Sequence, residues 1–229
     1  MNPWARGVVR RTKAALVPLA DADRAAGAFA YMRGVAPFLG ITTPDRRRAI
    51  EQAWSGLRPP TSAELGEAAV ALMALPEREY HYAAYDLLAK YIEVADEYFL
   101  SEFVEPLLQT KSWWDTVDGI GTAAVTPLCV RFDADGIIDE WSASGNRWLV
   151  RAAIQHQRGR RRATDVTRVL ALCDQHWADP EFFVAKAIGW ALRDLTAIDR
   201  RAVVRFLKRH DATNRVAIRE AERGLARTA

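Results

Sequence analysis

Two tryptophans and two aspartates lie within six positions of the segment KSWWDTVD, residues 111–118. Neither type is favoured inside a helix, because Trp loses rotamer freedom there and Asp competes for backbone hydrogen bonds. On a helix, Trp114 and Asp118 are four positions apart and share one side, whereas Trp113 points about a third of a turn away, toward the core. Asp115 is expected on the helix surface or in a cap. A carboxylate can stabilise a developing positive charge, and tryptophan faces favour cations.

Two further segments place cations and aromatic rings on common helix faces. Helical spacing groups Arg147, Arg151 and Gln155 in residues 146–157, and Lys186, Trp190 and Arg193 in residues 181–194. Phe182, Phe183 and Ile188 are expected to pack inward. The second half of the chain therefore offers aromatic and cationic side chains on otherwise polar faces.

The charge of the chain is uneven. The net charge is +3, but the 32 basic residues comprise 27 arginines and five lysines. Residues 71–108 hold eight acids and two bases, whereas residues 142–168 hold one acid and seven arginines, among them Arg158, Arg160, Arg161 and Arg162. One part should therefore attract polyanions while another repels them. GC-rich coding could equally explain the arginine excess, and Arg158 to Arg162 could be a solvated loop without a partner.

The sequence lacks the motifs that are typical of several classes of protein. The chain has neither a glycine-rich phosphate loop nor a Gly-x-Ser-x-Gly motif. The four histidines lack metal-ligand spacing, and Cys129 and Cys173 are expected to be reduced core residues. The apolar stretch at residues 14–20 is a poor signal-peptide core, and no run reaches the ~18 apolar residues of a membrane helix. We therefore expect a cytoplasmic monomer without a metal ion or another cofactor.

Helical periodicity dominates the 229 residues, and strand alternation is nearly absent. A Thr43 cap with Pro44, a Thr61/Glu64 capping box, Asp179-Pro180 and Asp199 each predict a helix start. Helices are predicted over residues 23–35, 43–54, 61–75, 77–94, 96–109, 112–132, 146–158, 165–177, 181–195, 200–210 and 214–227. Such helices, paired by short turns, favour an all-α solenoid of degenerate repeats in one domain, residues 1–229, with an irregular helical bundle as the alternative.

Five segments together resemble the AlkD-type DNA alkylation-repair glycosylases. They are YMRGVAPFLGITTPDRR (31–47), REYHYAAYDLL (78–88), KSWWDTVD (111–118), NRWLVRAAIQHQ (146–157) and EFFVAKAIGWALRD (181–194). They occur in the order and spacing of that family. The resemblance implies a right-handed superhelix of HEAT-like repeats that holds duplex DNA on a basic concave surface, and bound protein would lie with the nucleoid.

The resemblance also implies roles for particular residues. Asp118 takes the place of the catalytic carboxylate, accompanied by Trp114, Arg151 and Trp190. Tyr31 matches a tyrosine that contacts DNA, whereas Thr42 stands where the family pattern has glutamine, so that a DNA contact there would be shortened or lost. Other expected DNA-binding residues are Arg147, Arg158, Arg160, Arg161, Arg162, Lys186 and Arg193.

The expected reaction is excision of cationic alkylated purines, such as 7-methylguanine and 3-methyladenine, from duplex DNA by hydrolysis of the glycosidic bond. Such bases leave as neutral molecules and need no acid to protonate them, and the resemblance implies no extrusion of the base. Arg151 would keep Asp118 ionised or clamp a phosphate. Two alternatives stay open: a non-catalytic binder of DNA structure, and a solenoid scaffold for proteins.

Overall fold

Helices form every regular element of the computed structural model across residues 1–210 and 212–227, the residues that the structure describes. The α-helices are α1 (Pro3–Leu16), α2 (Ala22–Tyr31), α3 (Thr43–Trp54), α4 (Ser62–Met73), α5 (Arg78–Tyr91), α6 (Glu105–Gln109), α7 (Trp114–Ile120), α8 (Thr126–Arg131), α9 (Asp135–Ala143), α10 (Arg147–Gln155), α11 (Val166–Gln175), α12 (Phe182–Leu195), α13 (Arg200–Arg209) and α14 (Arg215–Arg227). Two π-helical segments, Leu100–Val104 and Gly121–Val125, precede α6 and α8. None of these described helices is long and apolar enough to cross a membrane.

Contacts between helices divide the chain into two compact units, which are Met1–Leu128 (unit 1) and Cys129–Ala229 (unit 2). In unit 1, α1 packs on α3 and α4, and α5 packs on α3, α4 and α7. In unit 2, α10 packs on α9 and α12, and α12 packs on α14. Alternate helices thus pack in series within each unit, which confirms the prediction of an all-α solenoid. The single domain and the handedness of a superhelix stay predictions.

The capping signals locate most helix starts to within two residues. The Thr61/Glu64 capping box is present at α4, and Asp199 caps α13 by accepting from the N–H of Ala202. The cap of α3 is Thr42 rather than Thr43, because the Thr42 hydroxyl accepts from the N–H of Asp45. Asp179 is not a cap either; its carboxylate accepts from the N–H of Glu181, and α12 begins at the following residue.

Local conformation explains where other predicted helices differ from the structure. α2 ends at Tyr31, because Arg33 and Gly34 both adopt positive φ, 57° and 72°. α1 and α9 were not among the predicted helices. α1 is capped by the Asn2 side chain and starts with proline, a signal that the sequence does carry. α9 is nine residues long with glycine at its second position, so its helical pattern is short.

Both π-helical segments end two residues before a proline. Pro106 follows Leu100–Val104, and Pro127 follows Gly121–Val125. A proline inside a helix lacks an N–H and its ring clashes with the carbonyl four residues earlier, and a wider π turn relieves that clash. The predicted helix over residues 112–132 is therefore a nearly continuous run of α7, the π segment and α8.

The apolar residues fill one core per unit, with some exceptions to the predicted burial. Ile188 is fully buried and Phe183 is half-buried, but Phe182 is 55% exposed, so its inward packing was wrongly predicted. Both cysteines are free thiols. Cys173 is buried as expected, whereas Cys129 is half-buried, and burial raises the pKa of each thiol.

His81 links the stability of unit 1 to pH. Its buried ring accepts from Arg78 through Nδ1 at 3.3 Å, and its Nε2 donates to the carbonyl of Leu75 at 2.7 Å. Burial lowers the pKa of His81 to about 4. Between pH ~6.5 and pH ~4 the unfolded chain therefore binds a proton that the folded protein excludes, and the free energy of unfolding should fall as the pH falls, by about 3 kcal/mol from this residue.

Urea unfolding at a series of pH values measures this effect. His81→Gln should make the free energy of unfolding less dependent on pH between 4 and 6.5, because glutamine does not titrate there. Some dependence should remain, since burial also lowers the pKa of His156 and of His176. A variant with the pH dependence of the parent would contradict this role of His81.

Candidate excision site and nucleic-acid interface

Trp114 and Asp118 lie one turn apart on α7. Trp113 is the N-cap, and the Thr116 hydroxyl closes the first turn through bonds of 3.2 and 3.1 Å to the N–H and carbonyl of Trp113. Trp114 and Asp118 are both half-buried, so an aromatic ring and a carboxylate share one accessible side of the helix. Trp113 is half-buried as well, so it lies less deeply than the core position that the sequence predicts.

The chain changes from an α-helix to a wider π-helix shortly after Asp118. The π segment Gly121–Val125 begins three residues later, and the Thr122 hydroxyl donates to the carbonyl of Asp118 at 3.0 Å. π-helical turns inside α-helices are frequent at functional sites. Gly119, the next residue, lies against α5; a Cβ there would come within 2.5 Å of the Tyr85 ring. Only glycine therefore permits this approach of α7 to α5.

Asp115 is a buried structural carboxylate rather than a surface or capping group, which corrects the sequence prediction. The Arg78 guanidinium donates to it through Nε at 3.0 Å and through Nη2, and the Tyr82 hydroxyl donates at 2.6 Å. The side chains of Arg78 and Asp115 are 1% and 9% exposed. Arg78 also donates to the carbonyl of Lys111 and the hydroxyl of Thr116. Burial, followed by the charge of Asp115, raises the pKa of Tyr82.

A second buried carboxylate holds the turn that follows α2. Glu79 accepts from the N–H groups of Leu39, Gly40 and Ile41 at 2.8, 2.8 and 3.1 Å. Gly40 has φ +83°, and a Cβ there would lie 2.1 Å from the carbonyl oxygen of Asp21, so the turn requires glycine.

Tyr31 and Thr42 lie on either side of this turn, and the family resemblance implies a DNA contact at each position. The two residues differ in accessibility. Tyr31, the last residue of α2, is 76% exposed and free to meet a ligand from solution. The Thr42 hydroxyl instead bonds Asp45. It donates to the carboxylate at 2.7 Å and accepts from the N–H at 3.4 Å. A short capping side chain thus stands where the resemblance implies a longer amide.

Four cations surround the Trp190 ring on α12. The guanidinium carbons of Arg151, Arg158 and Arg193 lie 4.9, 5.2 and 5.8 Å from the ring centroid, and the Lys186 ammonium lies 5.7 Å away. Each separation is within the ~6 Å at which a cation is attracted to an aromatic face. The structure thus gathers four of the predicted site residues around Trp190, and this cation cluster is suited to anions.

Arg151 and Arg147 occupy different environments, although the sequence predicts that both lie on one polar face of α10. Arg151 is only 1% exposed and donates to the carbonyl of Phe183 at 2.7 Å. Arg147 is exposed, pairs with Glu181 at 3.2 Å and lies 5.1 Å above the Trp148 ring. The polar stripe predicted for α10 is therefore wrong at Arg151, and this burial disfavours the phosphate clamp that the sequence left open for it.

Glu220 on α14 is a site residue that the sequence analysis missed. It is 3% exposed and bonds Lys186 at 2.8 Å, Arg193 at 3.0 Å and Arg223 at 2.8 Å. Burial acts to raise the pKa of Glu220, but the bond to Lys186 and the three positive charges lower it overall. The available signal was weak: Glu220 and Glu222 are the two acids among the four arginines of α14. Glu220 offsets part of the positive charge beside Trp190.

The arginine run lies in the loop between α10 and α11. Arg158, Arg161 and Arg162 are exposed and Arg160 is half-buried. Gln157, which is buried, closes the loop by accepting from the N–H of Asp165 at 2.7 Å. The loop is therefore fixed at its base.

The candidate residues fall into two groups, one per unit. Tyr31, Trp114 and Asp118 belong to unit 1, whereas the cation cluster and the arginine loop belong to unit 2. That both groups meet on one concave face stays a prediction. In the described part of the chain, no three or more His, Cys, Asp or Glu side chains are grouped so as to hold a metal ion.

Serially packed helices, an accessible Trp–Asp turn and a cationic cluster describe an all-helical protein with a surface suited to anions. The family model for DNA alkylation repair enzymes matches residues 12–225, so the chain belongs to this family. A solved structure described as a predicted DNA alkylation repair enzyme from Enterococcus faecalis is similar, with 25% identity and a TM-score of 0.79 over 88% of this chain and 94% of that chain. A search of curated proteins gives no significant match.

The buried ion pair predicts a stability defect for Asp115→Asn. Asparagine removes the negative charge and turns a donor toward Arg78, which stays buried without its counter-charge. Breaking a buried pair in this way typically costs about 3–5 kcal/mol. Chemical denaturation should show a loss of this size.

Glu102→Gln supplies the matched control, because Glu102 is exposed in the same unit and loses the same charge. It should change the free energy of unfolding by less than about 0.5 kcal/mol. Equal stability of Asp115→Asn and Glu102→Gln would show that the Arg78 pair does not support unit 1.

Proposed function

We propose that this member of the DNA alkylation repair family is a DNA glycosylase. It hydrolyses the bond between deoxyribose and a purine that carries a positive charge from alkylation, such as 7-methylguanine or 3-methyladenine, in duplex DNA. The observation that carries the proposal is Asp118 beside Trp114 on an accessible side of α7, in a chain whose family acts in alkylation repair.

The reaction separates charge in a way that suits this pair. As the bond from C1′ to the purine nitrogen breaks, its electrons neutralise the cationic base, and positive charge develops on the sugar. The Asp118 carboxylate stabilises that charge and orients a water molecule. The water oxygen bonds to C1′, its proton passes to the carboxylate or to solvent, and an abasic site remains.

The histidine nearest in sequence to Arg151 is unsuited to act as a general acid. His156 is 3% exposed; its Nδ1 donates to the carbonyl of Ala153 at 2.7 Å, and its Nε2 accepts from the Gln157 amide at 3.0 Å. Burial lowers the pKa of His156, so it stays neutral near pH 7. This supports a mechanism in which the leaving base needs no proton.

Unit 2 supplies the charge that holds the DNA backbone in this proposal. Arg158, Lys186 and Arg193 around Trp190 attract phosphates, and the exposed Tyr31 of unit 1 adds a contact to the duplex. Four protein cations beside Trp190 would disfavour a cationic purine there. The Asp118 carboxylate of unit 1 supplies the negative charge that favours such a purine in the proposed excision site. Because Trp114 and Asp118 are half-buried rather than enclosed, the proposal includes reaction without extrusion of the base.

Asp118→Asn tests the carboxylate. We expect single-turnover release of 7-methylguanine from a duplex oligonucleotide to slow by ~10²-fold or more, the scale for a positioned catalytic group. Affinity for undamaged duplex should stay near that of the parent, because phosphate contacts dominate it.

Asp115→Asn is unsuitable as the control, since Asp115 belongs to the buried ion pair. Glu102→Gln is the appropriate variant and should keep the parental rate. Release by Asp118→Asn at the parental rate would rule out Asp118 as the catalytic carboxylate. Duplex binding without any abasic product in the parent protein would instead favour a non-catalytic DNA binder.

The same mechanism predicts which lesions are released. Without a general acid, the base must already carry its positive charge, so oligonucleotides with 7-methylguanine or 3-methyladenine should lose the base. Uracil, which is uncharged and a poor leaving group, should not be released detectably. Single-turnover rates from matched duplexes with one lesion each provide the measurement. Comparable rates for uracil and 7-methylguanine would remove the charge-based mechanism.

A further inference from the structure

A cavity of about 890 Å³ lies in unit 2 beside the loop that joins α10 to α11. The loop, the last turn of α12 and the end of α14 form its walls. Small-molecule sites usually occupy ~300–1,000 Å³, so one ligand of moderate size fits this space.

The lining of the cavity is strongly basic. Six arginines contribute to it, and one carboxylate does: Arg158, Arg160, Arg161, Arg162, Arg193 and Arg227, with Asp194. Desolvation raises the pKa of Asp194, although Arg158 and Arg193 act against this rise. Guanidinium groups are suited to phosphate because they present several donors in one plane. The charge therefore favours a phosphate-bearing ligand.

The arginine loop is built to present these groups. The Nε of Arg160 is buried and has no hydrogen-bond partner among the described residues, a donor that a ligand oxygen would satisfy. Arg161 adopts φ +53°, a left-handed conformation that side chains rarely occupy, and Gly159 adopts φ +87°. The conformation of Arg161 is strained, and such strain is concentrated at ligand-binding segments. Gln157 closes the base of the loop through its 2.7 Å bond from the N–H of Asp165.

Part of the cavity lining is apolar, and this part is called the apolar side. Ile154, Val169, Leu195 and Ile198 line it together with the Trp190 ring. A fully hydrated anion makes no use of such a surface, whereas a molecule that joins a phosphate to a flat or weakly polar group uses both parts.

We infer that this cavity binds a nucleoside phosphate, with the phosphate on the arginine loop and the sugar and base on the apolar side. Two sources supply that chemistry: a free mononucleotide and an unpaired nucleotide of a DNA strand. The site shares Arg158, Arg193 and Trp190 with the proposed contact to the DNA backbone, but it requires neither Asp118 nor an alkylated base, so it extends beyond the proposed excision reaction.

Calorimetric titration of the full chain tests the ligand class. Deoxyadenosine 5′-monophosphate and a single-stranded deoxytrinucleotide are the two nucleotide probes, and deoxyadenosine and inorganic phosphate are the partial ligands. We expect at least one nucleotide probe to bind about tenfold or more tightly than either partial ligand. Equal affinity for inorganic phosphate and both nucleotide probes would overturn the assignment, because the apolar side would then contribute nothing.

Two variants test the location. Arg160→Gln removes the unpaired donor, and Arg227→Gln removes an exposed arginine near the end of α14 whose loss leaves the packed core intact. Each should weaken nucleotide binding about tenfold, the effect of losing one charge-assisted hydrogen bond. Arg205→Gln, an exposed residue of α13 outside the cavity, should bind like the parent.

The pattern of binding separates the two sources. If the protein binds the monophosphate and both variants weaken this binding, the site is assigned to free nucleotides. If the protein binds only the trinucleotide and both variants weaken that binding, the site is assigned to a DNA strand. No binding of either probe, or affinities unchanged in both variants, would overturn the inference. Because the probes carry no lesion, a protein that releases 7-methylguanine but fails these tests loses only this inference and keeps its proposed function.

Discussion

The buried ion pair between Arg78 and Asp115 fixes the helix that carries Asp118. α7 is seven residues long and contains two aspartates and a tryptophan, a length and composition that would not hold a helix by itself. The adjacent residue, Glu79, binds the 39–41 turn, and the N–H of Arg78 donates to the carbonyl of Pro37. Two consecutive residues of α5 thus tie together three of the segments that carry the family resemblance. The position of the carboxylate depends on contacts from α5 rather than on local helix preference.

In unit 2 the site residues are positioned by α14, a helix outside the segments that carry the family resemblance. Glu220 of α14 holds Lys186 and Arg193, so the cations beside Trp190 are positioned from the C-terminal end of the chain. This contact requires very close packing: a Cβ on Gly189 would lie 2.8 Å from the Cβ of Glu220. Without Glu220, two long side chains would lose their common partner and the local positive charge would increase. α14 is therefore part of the site rather than a terminal cover.

The sequence predicts features that depend on neighbours along the chain and misses those that depend on distant ones. The Thr61/Glu64 capping box could be identified because its two partners are three residues apart. Asp115 bonds Arg78, which is 37 residues away, and Glu220 bonds Lys186 and Arg193, which are 34 and 27 residues away. None of these spacings carries a sequence pattern. Asp115 therefore looked like a surface group. The accessible pair of Trp114 and Asp118 was predictable for the opposite reason, since one helical turn relates them.

The arginine excess has a physical explanation beyond the two that the sequence suggested. Arg46, Arg78 and Arg151 are each at most 1% exposed, and each guanidinium serves several partners at once. Arg46 bonds Asp86 through Nε and Nη2 and lies 4.9 Å above the Tyr82 ring. A lysine ammonium is a compact, strongly hydrated charge and cannot satisfy such planar sets of acceptors and rings. Some arginines are thus required by the interior, whereas those of the 158–162 loop face a cavity or solvent. Arginine content alone therefore overstates the charge that is available to DNA, and the position of each guanidinium decides its role.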